Sequence, residues 1–317
     1  MTATDNRFTG RNARADTAFR WATVLAGLIV LVVLGAIAIT TLTHSWPAFR
    51  SMGTDFFTSS RWAPNDKFFG AKAFIYGSLV ASAIALTLAV PVSIGIALFT
   101  TQVVPARLRR PIIYLVDLLA VVPSVVFGLW GVLVFAKHVT GFYGFLHNTV
   151  GHVPIVGSLF ATSSTGRNLA TAGIILAIMI TPIITSLARE VIDTCPQADR
   201  EGAYALGATR WEMIRGVVLP HAKGGLVGAV MLGLGRAMGE TIAVALVIGS
   251  TPNISANLFS PADALPARIA NEFGEAEGQY RAALIGLAVT LFAMTIIVNL
   301  VATAVVTRST AKTEGTR

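Results

Sequence analysis

The chain has 317 residues, of which 54% are hydrophobic and 13% charged, and this composition is too apolar for a water-soluble domain. Its formal net charge of +8 does not predict nucleic-acid binding, because the basic residues are not gathered on one face or arm. Runs such as Val24 to Ala38 are apolar throughout and lack the alternating polarity of a transmembrane barrel. We therefore expect an all-α integral membrane protein in contact with membrane lipid.

Six apolar segments are long enough to cross about 30 Å of hydrocarbon as helices. They cover residues 21–43, 73–99, 111–136, 169–189, 223–250 and 281–307. With the amino terminus in the cytoplasm, 15 of the 24 Lys and Arg residues fall inside and 8 outside, as the positive-inside rule requires. The sequence thus predicts six transmembrane helices with both termini in the cytoplasm.

These segments divide the chain into four parts. Residues 1–20 are expected to be a mobile cytoplasmic arm, and residues 308–317 a cytoplasmic tail. Residues 21–72 comprise the first helix and an extracytoplasmic loop. The core of five helices, 73–307, is interrupted by a cytoplasmic loop at 190–222, which is long enough to hold structure of its own.

That cytoplasmic loop carries a glutamate followed by glycine, proline and apolar residues at a recognisable spacing. They are Glu201, Gly202, Ala203, Gly207, Val217, Leu219 and Pro220. A glycine that permits a bend, followed by a helical segment that a proline stops, predicts an elbow suited to a groove on another protein.

The spacing resembles the signature loop of ABC importer permeases, which reads Glu-Ala-Ala, three residues, Gly, nine residues, Ile, one residue, Leu-Pro. Gly202 replaces Ala and Val217 replaces Ile in this chain. The resemblance implies the type I, MetI-like permease fold and a contact with a cytoplasmic ATPase.

Catalytic chemistry is not expected in this chain. The dipeptide Gly-Lys is absent from the sequence, so the phosphate-binding loop of an ATPase is missing. No histidine or cysteine has the spacing of a metal site, and no nucleophile and base stand out. The single cysteine, Cys195, is expected to be a reduced thiol. We expect no metal or cofactor here, with ATP and Mg²⁺ bound by a separate ATPase subunit.

Two opposite charges, Arg236 and Glu240, lie four residues apart in the fifth predicted helix. On an unbroken helix they would share one face, with Arg236 on the order of 20 Å deep. A charge at that depth marks an ion path, and a guanidinium matches the oxygens of phosphate. Glu240 would hold Arg236 and keep the anion from binding too tightly. The alternative is a pair that only neutralises itself.

Three further polar residues complete the predicted substrate path. Ser124, next to Pro123, and Thr241 offer hydroxyl groups either to a dehydrated anion or to a neighbouring helix. Asp117, near the cytoplasmic start of the third predicted helix, either pairs with a basic residue or acts at a gate.

The segment Gly235-Arg236-Ala237-Met238-Gly239-Glu240-Thr241 resembles phosphate-specific permeases, in which Gly-Arg-Ala-x-Gly-Glu-Thr recurs. Residues 74–80, 122–131 and 205–212 agree, and the resemblance to PstC-type permeases covers roughly residues 50–305. It implies half of the pore of an ATP-driven phosphate importer in the bacterial inner membrane. It also implies a homologous PstA-like permease, two copies of an ATPase subunit and an extracytoplasmic phosphate-binding protein as partners.

Three other functions remain open from the residues alone. An arginine in a pore binds any tetrahedral oxyanion. In one alternative the chain therefore belongs to a sulfate or molybdate importer. In another, the chain is a secondary transporter or channel that works without an ATPase. In the third, it serves mainly to report phosphate supply.

Overall fold

The computed structural model describes residues 12–153, 157–160 and 166–314, and nearly all of its regular structure is helical. The helices are α1 (Asn12–Met52), α2 (Asp55–Thr58), α3 (Lys72–Leu98), α4 (Ala106–Val121), α5 (Ser124–Trp130), α6 (Ala136–Val150), α7 (Leu169–Asp193), α8 (Gln197–Ala205), α9 (Arg210–Met213), α10 (Leu219–Gly239), α11 (Ile242–Val247), α12 (Leu265–Glu272) and α13 (Gly278–Glu314). Strands β1 (Trp62–Ala63) and β2 (Phe68–Phe69) form one antiparallel pair.

Six stretches of helix in the described residues are long and apolar enough to cross a membrane, which confirms the predicted number. They are Asp16–Met52, Lys72–Val103, Ser124–Val150, Leu169–Asp193, Arg210–Gly239 and Gly278–Ala304. Helix α1 already begins at Asn12, within the predicted cytoplasmic arm. Residues 1–11 of that arm, and the last three of the predicted tail, lie outside the described residues.

The third span lies further along the chain than the predicted 111–136. Helix α4 ends at Val121, Val122 and Pro123 are extended, and α5 begins at Ser124. The break follows from proline, which lacks an N–H and disfavours a helical residue before it. From Ser124 the helix continues through a π-helical turn and α6 to Val150, so α4 is a separate helix that precedes this span.

The fifth span is also wrongly bounded by the predicted 223–250. A continuous helix runs from Arg210 through a π-helical turn and α10, and it ends at Gly239. Pro220 does not stop a helix as predicted: it occupies one of the first two positions of α10. The π-helical turn that precedes α10 leaves room for a residue without an N–H.

Helix α7 lies at the centre of the packing. It is buried along most of its length, and glycines bring neighbouring helices close to it. A Cβ atom on Gly173 would lie 2.5 Å from Ile84 of α3, and one on Gly233 of α10 would lie 2.6 Å from Ile184 of α7. Such approaches are typical of helix pairs in membranes. By contrast, α1 packs on α13 and is exposed along its apolar stretch, as expected for a helix at the lipid boundary.

Candidate functional site

A break in the backbone begins at the second of the two charges of the candidate site. Helix α10 ends at Gly239, Glu240 is extended with φ −68° and ψ 126°, and α11 begins at Ile242. The last turn of α10 contains glycine, the residue that weakens a helix most after proline. The carboxylate of Glu240 then accepts a hydrogen bond of 3.3 Å from the backbone N–H of Ala243, which caps the short α11.

Arg236 lies in the last turn of α10 and is exposed. It lines a cleft of about 650 Å³ between α7, α10 and α13. The carbonyl groups at the end of a helix carry partial negative charge, so they stabilise a cation in this turn. Within the described residues Arg236 forms no ion pair. Its charge is therefore available to an anion in the cleft.

Glu240 points to the other side of the helix break. It is only 7% exposed and lies beside a cavity of about 10 Å³ that α12 and Ser82 of α3 also line. The hydroxyl of Ser82 is buried there without a hydrogen-bond partner. A space of this size admits about one water molecule.

The predicted contact between Arg236 and Glu240 is therefore wrong. The prediction assumed that both residues belong to one unbroken helix, where a spacing of four places side chains on the same face. In the structure Arg236 is exposed and faces the cleft, whereas Glu240 is only 7% exposed and bonds to the start of α11. The self-neutralising pair, the alternative drawn from the sequence, is not formed in the described part of the chain.

The two hydroxyl residues of the predicted path lie next to the breaks. Ser124 is the first residue of α5 and is half-buried. Thr241 is half-buried in the α10–α11 connection, and its hydroxyl donates to the carbonyl of Gly239 at 3.2 Å. Helix α5 packs on α11, with Gly128 against Ala243. Both helix breaks therefore occur in elements that touch each other.

Asp117 of α4 lies against the carboxyl-terminal part of α7. Its carboxylate lies 3.8 Å from the guanidinium of Arg189 of α7, with the Asp117 side chain 45% exposed. One turn further along α7, Asp193 pairs with Arg109 of α4. Two ion pairs thus hold α4 against the end of α7. Of the two roles predicted for Asp117, pairing with a basic residue is the one that this geometry supports.

The residues of the loop pattern divide between two faces. Glu201 and Gly202 are exposed on α8. Ala203, Val217 and Leu219 pack against a buried cluster that includes Cys195. Arg200 fastens α8 to the membrane helices by donating to the carbonyl of Ile192 at 2.8 Å. These contacts fix α8 to the membrane helices on one side, and the opposite side of α8 is exposed.

The predicted bend at Gly207 is confirmed. This residue has φ +84°, in the left-handed region that glycine adopts without steric cost. After it, Thr209 accepts a hydrogen bond from the N–H of Glu212, and Glu212 accepts from the N–H of Thr209. This capping box fixes where α9 begins.

Two groups of functional interest were missed by reasoning from the sequence. Around the bend, the side chains of Leu206 and Trp211 are 90% and 62% exposed, although both are large and apolar. The second group is Asn299 of α13, which lines the same cleft as Arg236. An exposed apolar pair beside a glycine is a signal that could have identified the first group. A lone Asn in an apolar helix is a weak signal for the second.

A buried charged network lies in the connection that the sequence places outside the membrane. Asp263 is fully buried, and Arg268 Nε lies 3.0 Å from its carboxylate. Arg268 also pairs with Glu272 and stacks over Phe74 of α3, with its guanidinium carbon 5.0 Å from the ring centroid. Desolvation raises the pKa of Asp263 to about 6 despite the nearby cation.

The comparisons with known proteins agree on one family. A model of the family described as "Binding-protein-dependent transport system inner membrane component" matches residues 89–312. The chain is 44% identical over 305 residues to "Phosphate transport system permease protein PstC" of Mesorhizobium japonicum, covering 96% of this chain and 93% of that protein. It is 40% identical to the protein of the same name from Haemophilus influenzae, covering 92% and 93%.

Solved structures support the fold. A bacterial alginate ABC transporter in complex with a pentasaccharide-bound periplasmic protein matches with a TM-score of 0.63 at 16% identity, covering 94% of this chain and 98% of that chain. An inward-facing MetNI methionine ABC transporter matches with a TM-score of 0.50 at 19% identity, covering 75% and 93%. The predicted ABC importer permease fold is thus confirmed. The chain belongs to the binding-protein-dependent transport system inner membrane components and, among them, to the PstC-type permeases.

Proposed function

We propose that this chain forms half of the translocation path of an ATP-driven importer of inorganic phosphate in the bacterial inner membrane. The observation that carries the proposal is the exposed guanidinium of Arg236, which lines a cleft in the last turn of the fifth span, next to the helix break. The phosphate permease names of the relatives support phosphate over sulfate and molybdate.

The chemistry of the cleft suits an anion that binds and leaves. A guanidinium is always charged and presents paired N–H donors to two oxygens of one phosphate. The carbonyl groups that end α10 have partial negative charge, so they oppose very tight binding of an anion at the same place. The predicted role of Glu240 in release is thereby reassigned to the backbone at the helix end.

The loop from α8 to α9 is proposed to dock the ATPase. Its exposed Leu206 and Trp211 are apolar anchors of the kind that dominate binding energy at protein interfaces. Arg210 begins the same continuous helix that carries Arg236, about 39 Å away at 1.5 Å per residue. A displacement of the docked loop would therefore reach the cleft through one rigid element.

The proposed assembly contains four kinds of subunit. This chain pairs with a homologous PstA-like permease, which supplies the other half of the path. Two ATPase subunits bind ATP and Mg²⁺ and drive transport by binding one conformation of the assembly better than the other. An extracytoplasmic phosphate-binding protein delivers the anion, and no cofactor is proposed for this chain itself.

The test is phosphate uptake in proteoliposomes that contain the assembled complex and its binding protein. Arg236→Gln removes the charge, and we expect uptake to fall by about tenfold or more, since one charged hydrogen-bonded partner is lost. Arg236→Lys keeps the charge but loses the planar fork, so partial uptake is expected. The control is Arg50→Gln, which changes an exposed arginine in the last turn of α1.

Normal uptake by an assembled Arg236→Gln complex would overturn the proposed path. Sulfate and molybdate uptake by the wild-type complex at the phosphate rate would overturn the substrate. Uptake that persists when the ATPase subunit is omitted would indicate a secondary transporter.

A further inference from the structure

We infer that Asn299 of α13 positions Arg236: before an anion binds, the guanidinium turns from its exposed position toward α13, where the side-chain carbonyl of Asn299 accepts a hydrogen bond from it, and an arriving oxyanion displaces that bond. In this structure Asn299 Oδ1 has no hydrogen-bond partner, so the two side chains have to turn toward each other to form it. Asn299 is thus a positioning residue of the anion path. This inference rests on the proposed function of Arg236.

The first support is an unpaired acceptor in the right place. Asn299 and Arg236 line the same cleft, together with Gly228, Leu232 and Gly235. The Oδ1 atom of Asn299 is buried and has no hydrogen-bond partner, and such a group in an apolar setting is costly unless something occupies it. Arg236 is the charged donor that shares this cleft, and it forms no ion pair in the described part of the chain.

The second support is the direction of the two side chains. Helices α10 and α13 belong to consecutive spans and therefore run in opposite directions. A helical side chain leans toward the amino terminus of its own helix. Arg236 thus leans back over the turn of Leu232 and Gly228, where Asn299 lines the cleft, while Asn299 leans toward the level of Arg236. Gly228 and Gly235 line the same cleft and have no side chains to fill the space between Arg236 and Asn299.

The third support is the chemistry of a neutral acceptor. An amide oxygen can hold a guanidinium in one orientation and still yield to an anion, because it carries no full charge. A carboxylate in its place would form an ion pair that competes with the substrate. The carboxylate of Glu240, which the sequence had suggested for this role, is buried on the other side of the break.

The transport test compares three replacements of Asn299 in the assembled complex. Asn299→Asp should lower the maximal rate of phosphate uptake by about tenfold or more, because an ion pair would retain Arg236. Asn299→Gln, which keeps the acceptor, should remain within about threefold of wild type, and Asn299→Leu should fall between them. A purely structural role predicts instead that the isosteric Asp and Leu variants behave alike.

A labelling test measures proximity without transport. In a Cys195→Ser background, Asn299→Cys is treated with an anionic and with a cationic thiol reagent. The Arg236 charge should favour the anionic reagent by about tenfold, and Arg236→Gln should remove that preference. Inorganic phosphate should protect the thiol. Ile297→Cys, exposed on the same helix and outside the cleft, should show neither effect.

The outcomes separate this inference from the proposed function. If Arg236→Gln transports normally, the anion path through Arg236 is wrong, whatever the labelling shows. If Arg236→Gln abolishes uptake but Asn299→Asp transports at the wild-type rate, the positioning role is wrong and the path stands. If the ratio of anionic to cationic labelling at Asn299→Cys is the same with and without Arg236→Gln, the positioning role is also wrong.

Discussion

Arg236 and Glu240 show how one short motif serves two purposes. Arg236 lines an open cleft, whereas Glu240 accepts a structural hydrogen bond from the start of α11. We therefore expect changes at Arg236 to affect transport with little effect on folding. Changes at Glu240 should act first on stability.

Glu240→Ala should destabilise the protein by about 1–2 kcal/mol, the usual effect of losing a helix cap. Glu240→Gln keeps an oxygen that can accept from Ala243 N–H and should cost less. Thermal unfolding in detergent measures both. Arg236→Ala is the matched control, expected within about 0.5 kcal/mol of wild type because its side chain is exposed. Equal losses at the two positions would contradict the separate roles.

Asp263 predicts a pH dependence of stability with a definite sign. Burial raises the pKa of its carboxyl group from 3.8 to about 6, so between these values the folded state holds a proton that the unfolded chain has lost. The free energy of unfolding therefore falls as the pH rises through this window. The expected loss between pH 4 and pH 7 is on the order of 3 kcal/mol, at 1.36 kcal/mol per pH unit.

Asp263→Asn should remove that dependence, and thermal unfolding of both proteins across the pH range measures the difference. Asp66→Asn is the control, since Asp66 pairs with Arg61 at the surface with 57% of its side chain exposed. A wild-type curve that runs parallel to the Asp263→Asn curve from pH 4 to pH 7 would refute the prediction.

At the scale of elements, the sequence predicted the number of spans better than their ends. Hydropathy identifies apolar runs, and it assigned residues 111–136 to one helix because the residues on both sides of Pro123 and Ser124 are mostly apolar. It does not register that Pro123 breaks the backbone. It also treated α6 as a loop because of polar residues such as Lys137 and His138, although the helix continues to Val150.

The same limit explains the error at the site. The sequence identified Arg236 through the energetic cost of a charge in a span, and that step does not depend on helix geometry. The contact with Glu240 also depended on the helices packed around α10, which bury Glu240 near α11 and α12 and leave Arg236 facing the cleft. Asn299 is separated from Arg236 by a long connection and by most of the sixth span, so only the packing of α10 near α13 brings both to one cleft.

The docking loop gives a prediction about one backbone angle. Gly207 has φ +84° and nothing within 4 Å of a Cβ position, so a substitution there acts through the backbone rather than through a clash. Gly207→Val should therefore shift the loop and reduce both ATPase co-purification and phosphate-stimulated ATP hydrolysis. Gly207→Asn, which tolerates this conformation, should retain most of both. If Gly207→Val retains wild-type ATPase co-purification and phosphate-stimulated ATP hydrolysis, the bend at Gly207 is not part of the coupling mechanism.

At the scale of the whole molecule, the buried helix α7 forms the centre of the packing, and α1 and α4 lie at the periphery. Helix α7 contacts α3, α4, α10 and α11, and the helix from Arg210 to Gly239 connects the cytoplasmic loop with the cleft beside it. The exposed apolar faces of α1 and α4 suit contact with lipid or with the second permease. Motion of α10 relative to α7 is then the natural way for a docked ATPase to change access to Arg236.

The orientation of this assembly in the membrane depends on how α4 and the helix from α5 to α6 are counted. Helix α4 has 16 residues, about 24 Å at 1.5 Å per residue, and begins beside Arg107, Arg109 and Arg110. Those charges favour the cytoplasm, so we expect α4 and Ser124–Val150 to make a single crossing.

Reporter fusions at about residues 105, 205 and 312 should therefore report the cytoplasm, and fusions at about 150 and 255 the outside. If α4 crossed separately, the reporter at 150 would lie on the same side as the reporter at 105. All spans after it would then be inverted, and the docking loop would face away from any cytoplasmic ATPase. A cytoplasmic signal at 150 together with an outside signal at 205 would thus refute both the six-span topology and the proposed coupling route.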